Sequence, residues 1–457
     1  MSTACSSDSA DVNHSWHPFT QMSEYLNGPR LAVTRAQGCW LEDAAGRRYL
    51  DGNASIWTNV HGHNDPELNA ALTRQLEKVA HTTLLGLHHP AADQLSARLA
   101  GLTSGRLPRV FYSDCGAMAV EIAVKMSLQY WQLQGRPERR RILAMEHAYH
   151  GDSFGTMALG DSGVFHQRFQ PWFFPVDRFP APYHEEVNGV VSCSDHANAI
   201  AHLSAFLRSH SSECACLVLE PFVQGAAGMR QQPVAFVREV AQLCRLHGVH
   251  LILDEVFVAF GRLGHLLAGE SLGVHADFIC LAKGLTAGYI PLAATLASEA
   301  IYRAHLGAWE EHRAFYHGHT FTGNPLGCAV ALESITKLEK FISSGRLAEG
   351  IAWFGEAVEK SLCHRLHVRA VRQLGFAAAV DLGPADANAR WSPGVRGALQ
   401  VCYEARRRGL VLRPLGDSVL LVPPLAINRD EINFLTTTLA QSIATIAPSI
   451  PTLPVLP

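Results

Sequence analysis

Several things are scarce or missing in this 457-residue chain, and each absence removes a class of function. The eleven cysteines include no C-x-x-C pair, so neither a disulfide framework nor a zinc ribbon is expected, and a reducing cytoplasm is the compartment that fits. No apolar run approaches the roughly 20 residues of a membrane span. The opening residues, MSTACSSDSADVNH, are polar and acidic where a secretory leader is basic and then apolar. Charge of one sign is scarce too: a formal net charge of -3 gives no electrostatic case for nucleic acid or an anionic membrane. There is no G-x-x-x-x-G-K-[ST] loop and no H-E-x-x-H or H-x-x-x-H spacing, so neither a nucleotide hydrolase nor a bound metal is expected.

What is present is a chain long enough for a substantial core and for more than one domain. Its most informative stretch is residues 251–283. Leu251, Ile252 and Leu253 end in Asp254, and residues 278–282 end in Lys283. Short continuous apolar runs suit strands covered on both faces, as in a parallel sheet between helices. Ligands of such sheets sit beyond the carboxyl ends of the strands, where both charges would emerge. Taken alone, Asp254-Glu255 also fits a nucleotide hydrolase, and Lys283-Gly284 also fits the surface. Together they suit one cofactor. A carboxylate and a cation 4 Å apart gain about 4 kcal/mol at an effective dielectric near 20, enough to keep a heterocyclic nitrogen protonated. A lysine in such a pocket can shift its pKa and form a Schiff base. Those are the two requirements of pyridoxal phosphate.

Along the chain, residues 1–15 are expected to lack structure and residues 31–50 to form a meander turning at Gly38 and Gly46. Asp65-Pro66 opens a helix, with Leu68, Leu72, Leu76 and Val79 predicted on its core face. Residues 109–117 read as strand, glycine-containing turn and helix start, an arrangement that offers free N–H groups to a phosphate and equally fits any α/β crossover. Cys115 reads as a turn residue, since no general base is paired with it. A strand over 141–145 precedes Tyr149, which suits stacking on a flat cofactor as well as simple loop packing. Residues 161–198 have no clear period and read as a surface excursion. A strand over 216–219 ends in Glu220, a helix covers 234–245 and a buried strand covers 291–297. Residues 316–324 supply a hydroxyl and flexible backbone before a helix near Pro325, suited to a phosphate clamp or a structural turn. Arg413, between two strand-like runs, is either a solvated strand end or a fork for a carboxylate. Asn428 and Glu431 have capping-box spacing.

Ten motifs then stand in order: WHPFTQM (16–22), NVHGH (59–63), RVFYSDCGA (109–117), KMSLQYW (125–131), AYHGD (148–152), EPFVQGAAGM (220–229), LILDEV (251–256), LAKGLTAGY (281–289), HGHTFTGNPLGCAVA (317–331) and LRPLGD (412–417). Through them the chain resembles the class-III, fold-type-I PLP aminotransferases, in particular the branch that aminates 8-amino-7-oxononanoate in biotin biosynthesis. The resemblance implies a mixed, mostly parallel central sheet flanked by helices, with a smaller α+β domain built from the two terminal segments. The implied division is 1–60 joining the small domain, 61–330 as the large cofactor-binding domain and 331–457 as the C-terminal small domain. It implies that Lys283 bonds the cofactor and moves the proton, that Asp254 pairs with the pyridinium, and that Tyr149 lies against the ring. Gly116 and Ala117 would take the phosphate, joined by His319 and Thr320 from the second subunit of a homodimer whose sites lie at the interface. Phe19, Ile56, Trp57 and Gly318 would line the substrate cleft, and Arg413 would bind the carboxylate of 8-amino-7-oxononanoate. The implied reaction is ping-pong.

The chain departs from the family pattern at four places. Phe19 stands where users of S-adenosylmethionine commonly have tyrosine, Ile56 replaces the first of a Trp-Trp pair, Ala117 replaces a serine, and Val258-Ala259 interrupts the usual Thr-Gly. The expected amino donor is S-adenosylmethionine, with lysine as the alternative. A second alternative is an ω-aminotransferase of the ornithine or 4-aminobutyrate type. A third is a catalytically silent protein on the same fold.

Overall fold

The computed structural model describes residues 14–187, 190–193, 196–386, 388–392 and 394–454, so most of the segment expected to lack structure lies outside the described residues. The N-terminal meander forms as expected: β1 (Val33–Gln37), β2 (Trp40–Asp43) and β3 (Arg48–Asp51) pair antiparallel. Gly38 and Gly46 take the positive φ of 57° and 77° that the connecting turns need. Helix α1 (Pro66–Leu76) begins where Asp65 accepts the N–H groups of Glu67 and Leu68. Its core stripe is shorter than the periodicity suggested. Leu68 is buried, but Leu76 is 57% exposed and Val79 lies beyond the helix end.

The central sheet contains β4 (Arg109–Ser113), β5 (Arg141–Met145), β6 (Asp177–Phe179), β7 (Cys214–Leu219), β8 (His250–Asp254), β9 (Phe278–Leu281) and β10 (Ala293–Ala297). Their order is β4-β10-β9-β8-β7-β5-β6. Strands β9, β8, β7, β5 and β6 pair in parallel, and β10 runs antiparallel to both neighbours. The mixed, mostly parallel sheet is therefore present. Every residue of β7 and β8 is buried, as strands covered on both faces require.

Alternation of side chains splits the core into two layers. Ile252 packs with Ala119, Val120 and Ala123 of helix α2 (Gly116–Leu133), whereas Leu251 and Leu253 pack with Phe236, Val237 and Val240 of helix α3 (Val234–His247). Asp254 shares the parity of Ile252, so it leaves β8 on the α2 side of the sheet. Strand β6 corrects the reading of 161–198 as a purely surface excursion, because it forms the sheet edge beside β5.

Helices α4 (Pro325–Ser343) and α5 (Arg346–Leu362) lead into β11 (Val368–Leu374) and β12 (Ala377–Leu382). Strands β13 (Leu410–Val411), β14 (Arg413–Leu415) and β15 (Ser418–Leu421) follow, then helix α6 (Arg429–Ile446), and a short strand over Thr452–Pro454 ends the described chain. Strand β13 pairs in parallel with β3, tying the N-terminal meander to the C-terminal region. Asn428 and Glu431 form the reciprocal capping box of α6. Among the described residues no helix is long and apolar enough to cross a membrane.

Candidate active site

Parallel pairing places Asp254 opposite Cys280, so Lys283 emerges just beyond the neighbouring strand tip. Asp254 is buried, and its Oδ2 lies 2.7 Å from His150 Nδ1 while Oδ1 accepts the Val256 N–H at 3.1 Å. The acid is thereby held by two elements that meet only in the folded chain. Burial lowers the pKa of Lys283, and the negative charges of Asp254 and Glu220 oppose that shift. The lysine backbone has φ 46°, and its Nζ lies 5.0 Å from the Trp57 ring centroid and 5.6 Å from that of Phe257.

Glu220, just past β7, accepts the N–H groups of Tyr149 and Gly225 at 3.0 and 3.3 Å. Burial pushes its carboxyl up to about 7, with nearby His150 opposing and Asp254 adding to the shift. The hydroxyl of Tyr149 donates to Asp152 at 2.8 Å, and burial is the main reason its pKa is raised. Helix α2 points its N-terminus at the same space. Cys115, at its cap position, makes no side-chain capping bond, which leaves the first N–H groups, including those of Gly116 and Ala117, open to an anion. Gly116 is required there, since an added Cβ would fall 2.7 Å from Val256 Cγ1.

One cavity of about 730 Å³ unites these groups, with Trp57, Gly116, Ala117, Tyr149, Asp254 and Lys283 all in its wall. Phe19, Ile56, Gly318, His319, Thr320 and Arg413 are not part of that wall. Arg413 nonetheless stands close enough to Tyr149 for their charges to couple. Phe19 packs against Phe165 with ring centroids 5.7 Å apart, and Ile56 is 45% exposed at φ 70°. His319 is half-buried, with an Nε2 that has no partner among the described residues, while Gly318 and Thr320 are exposed. His150, Glu220 and Phe257 join the wall without having been singled out as site residues. Glu220 carried the same signal as Asp254, a charge where an apolar run stops. His150 carried none, because its contact with Asp254 spans 104 residues of sequence.

The family model for Aminotransferase class-III matches residues 22–443. The chain belongs to the class-III aminotransferases. A relative from Geobacter sulfurreducens, an adenosylmethionine-8-amino-7-oxononanoate aminotransferase, is 44% identical over 443 residues, covering 95% of this chain and 97% of its own. The crystal structure of the Methanocaldococcus jannaschii protein of the same name superposes with a TM-score of 0.88 at 35% identity, covering 95% and 98% of the two chains. A PLP-bound amine transaminase from an uncultivated Pseudomonas species superposes with a TM-score of 0.87 at 32% identity, covering 95% and 99%. This class-III aminotransferase is accordingly a PLP-dependent transaminase. The cavity fits that cofactor chemically: a desolvated amine, a buried acid and an open helix N-terminus share one wall.

Proposed function

We infer that the protein transfers an amino group to 8-amino-7-oxononanoate, the reaction of biotin biosynthesis, with S-adenosylmethionine as donor. The observation that carries this reading is the 44% identity, across nearly the whole of both chains, to a relative named for that reaction. Further relatives from Nitratidesulfovibrio vulgaris and Aquifex aeolicus bear the same name at 41% and 39% identity.

Pyridoxal phosphate supplies the aldehyde carbon and the electron sink of the amino transfer. Lys283 is the amine that bonds it and moves the substrate proton, and Asp254, braced by His150, holds its ring nitrogen protonated. Gly116 and Ala117 receive the phosphate on their N–H groups, and Tyr149, fixed by Asp152, orients the ring. Trp57, with Phe19, Ile56 and Gly318, lines the substrate path, and Arg413 pairs with the substrate carboxylate. His319 and Thr320 act on the site of a second copy in a homodimer, which accounts for their position off the cavity wall of their own chain. Residues 1–60 and 331–457 form a small domain beside a large cofactor domain of residues 61–330, and the protein works in the cytoplasm.

The amine transaminase neighbour, nearly as similar in fold, supports a second reading in which a simple terminal amine is the donor. A coupled assay with 8-amino-7-oxononanoate as acceptor, comparing S-adenosylmethionine, lysine, glutamate, alanine and a simple terminal amine, separates the readings. Turnover with S-adenosylmethionine is expected. Turnover with glutamate or alanine alone would sink the assignment.

A further inference from the structure

Ala54, Ser55, Ile56 and Trp57 have φ values of 43°, 46°, 70° and 68°, four successive non-glycine residues in the left-handed region. Such a turn is disfavoured for L-residues, most of all for β-branched Ile56. It persists only if its surroundings impose it, and such imposed segments cluster at functional sites.

The side chain bonded to the start of this turn is Asp51, at the end of β3. Its side chain is 2% exposed. Oδ1 accepts the Asn53 N–H at 3.1 Å, and Oδ2 accepts the N–H and hydroxyl of Ser55 at 3.0 and 3.1 Å. Oδ2 also lies 2.9 Å from His63 Nε2, itself held by Asn59. Within the turn, Trp57 donates its N–H to Asn53 O and Thr58 donates to Ala54 O, both at 2.9 Å. The indole Nε1 of Trp57 donates to Asn53 Oδ1 at 3.3 Å. The outcome is an indole fixed beside Phe257, ring centroids 4.7 Å apart, with the Lys283 amine over both rings.

We propose that Asp51 is a positioning residue for Lys283: its carboxylate holds residues 54–57 in a left-handed turn, and the turn sets the Trp57 ring against the lysine amine. A protonated amine over an aromatic face is attracted by the ring quadrupole. The ring therefore gives the amine a fixed seat in the wall whenever it is not bonded, so that each return begins from one geometry. The inference rests on the reading of Lys283 as the reacting amine, but its test involves no transamination.

In cofactor-free, full-length protein, reductive methylation with formaldehyde and cyanoborohydride, read peptide by peptide by mass spectrometry, reports how well the Lys283 amine is shielded. Asp51→Ala and Trp57→Ala are each expected to speed methylation of Lys283 by about five- to tenfold, the scale of one cation–π contact. The exposed Lys78 and Lys360 serve as internal standards and are expected to react at wild-type rates. The double variant is expected to be no faster than either single one, because both act through the same ring. Adding Ser55→Gly to Asp51→Ala is expected to bring the rate back towards wild type, since glycine accepts the positive φ. Should Asp51→Ala fail to fold, Asp51→Asn, which keeps one acceptor oxygen, is expected to give an intermediate rate. An Asp51 variant with a lowered Tm but a wild-type Lys283 rate would make Asp51 merely structural and overturn the proposal, as would additive effects in the double variant.

Discussion

Glu220 and Asp254 end neighbouring strands in the same way, yet burial raises the Glu220 carboxyl to about 7. In the unfolded chain an ordinary glutamate loses its proton near 4.3. Between those two values the folded state keeps a proton that the unfolded state has released. Stability therefore falls as pH rises through this window, by on the order of 3 kcal/mol for a shift of this size. Denaturant midpoints of cofactor-free protein are expected to decline from pH 5 to 7.5, and Glu220→Gln is expected to flatten part of that decline. An identical slope in the variant would contradict a proton held at Glu220. At this scale the sequence was legible where a local pattern repeated at two strand ends. Lys283 and Asp254 each end an apolar run, and it was the two together, not either alone, that pointed to one cofactor. His150 could not be read, because its role is a 2.7 Å contact across 104 residues. Glu220 was visible as a charge, but its proton depends on burial that no local pattern encodes.

The amino end of α2 has no side-chain cap, which suits its first N–H groups to an anion. Gly116 packs so closely on Val256 that a methyl group would fall 2.7 Å from Cγ1. Gly116→Ala is accordingly expected to displace the first turn and weaken pyridoxal phosphate binding by about tenfold, the loss of one charge-assisted hydrogen bond. Val256→Ala in the same chain is expected to restore much of it, and equilibrium titration of cofactor absorbance reads both. Unchanged affinity in Gly116→Ala would remove this helix end from the site. Elements with a strong local pattern were legible: β8 and β9 as buried runs, α1 from Asp65-Pro66, α6 from its capping box. Strand β6 was not, because its three residues have no alternation of their own and exist as strand through pairing with β5. Leu76 kept helical spacing but lies at the last turn of α1, where no core of its own chain covers it.

The whole chain leaves large apolar side chains in solvent, among them Leu85 at 88% and Trp309 at 73% exposure. A second copy of the chain would cover side chains of that kind, and it would offer a partner to the Nε2 of half-buried His319, which has none among the described residues. Light scattering is expected to give twice the chain mass at micromolar concentration, and a stable monomer that binds cofactor fully would contradict the shared site. The stretch 316–324 already suited a phosphate clamp or a turn, but a role for His319 and Thr320 on a second subunit came only from the family resemblance, because one chain's sequence does not mark which groups a partner would meet. One amine and one acid are brought together at adjacent strand tips. Borohydride reduction of the cofactor-loaded protein, followed by peptide mass spectrometry, tests this most directly. Pyridoxyl phosphate is expected on a single residue, Lys283, and a label on any other lysine, or on none, would contradict that role.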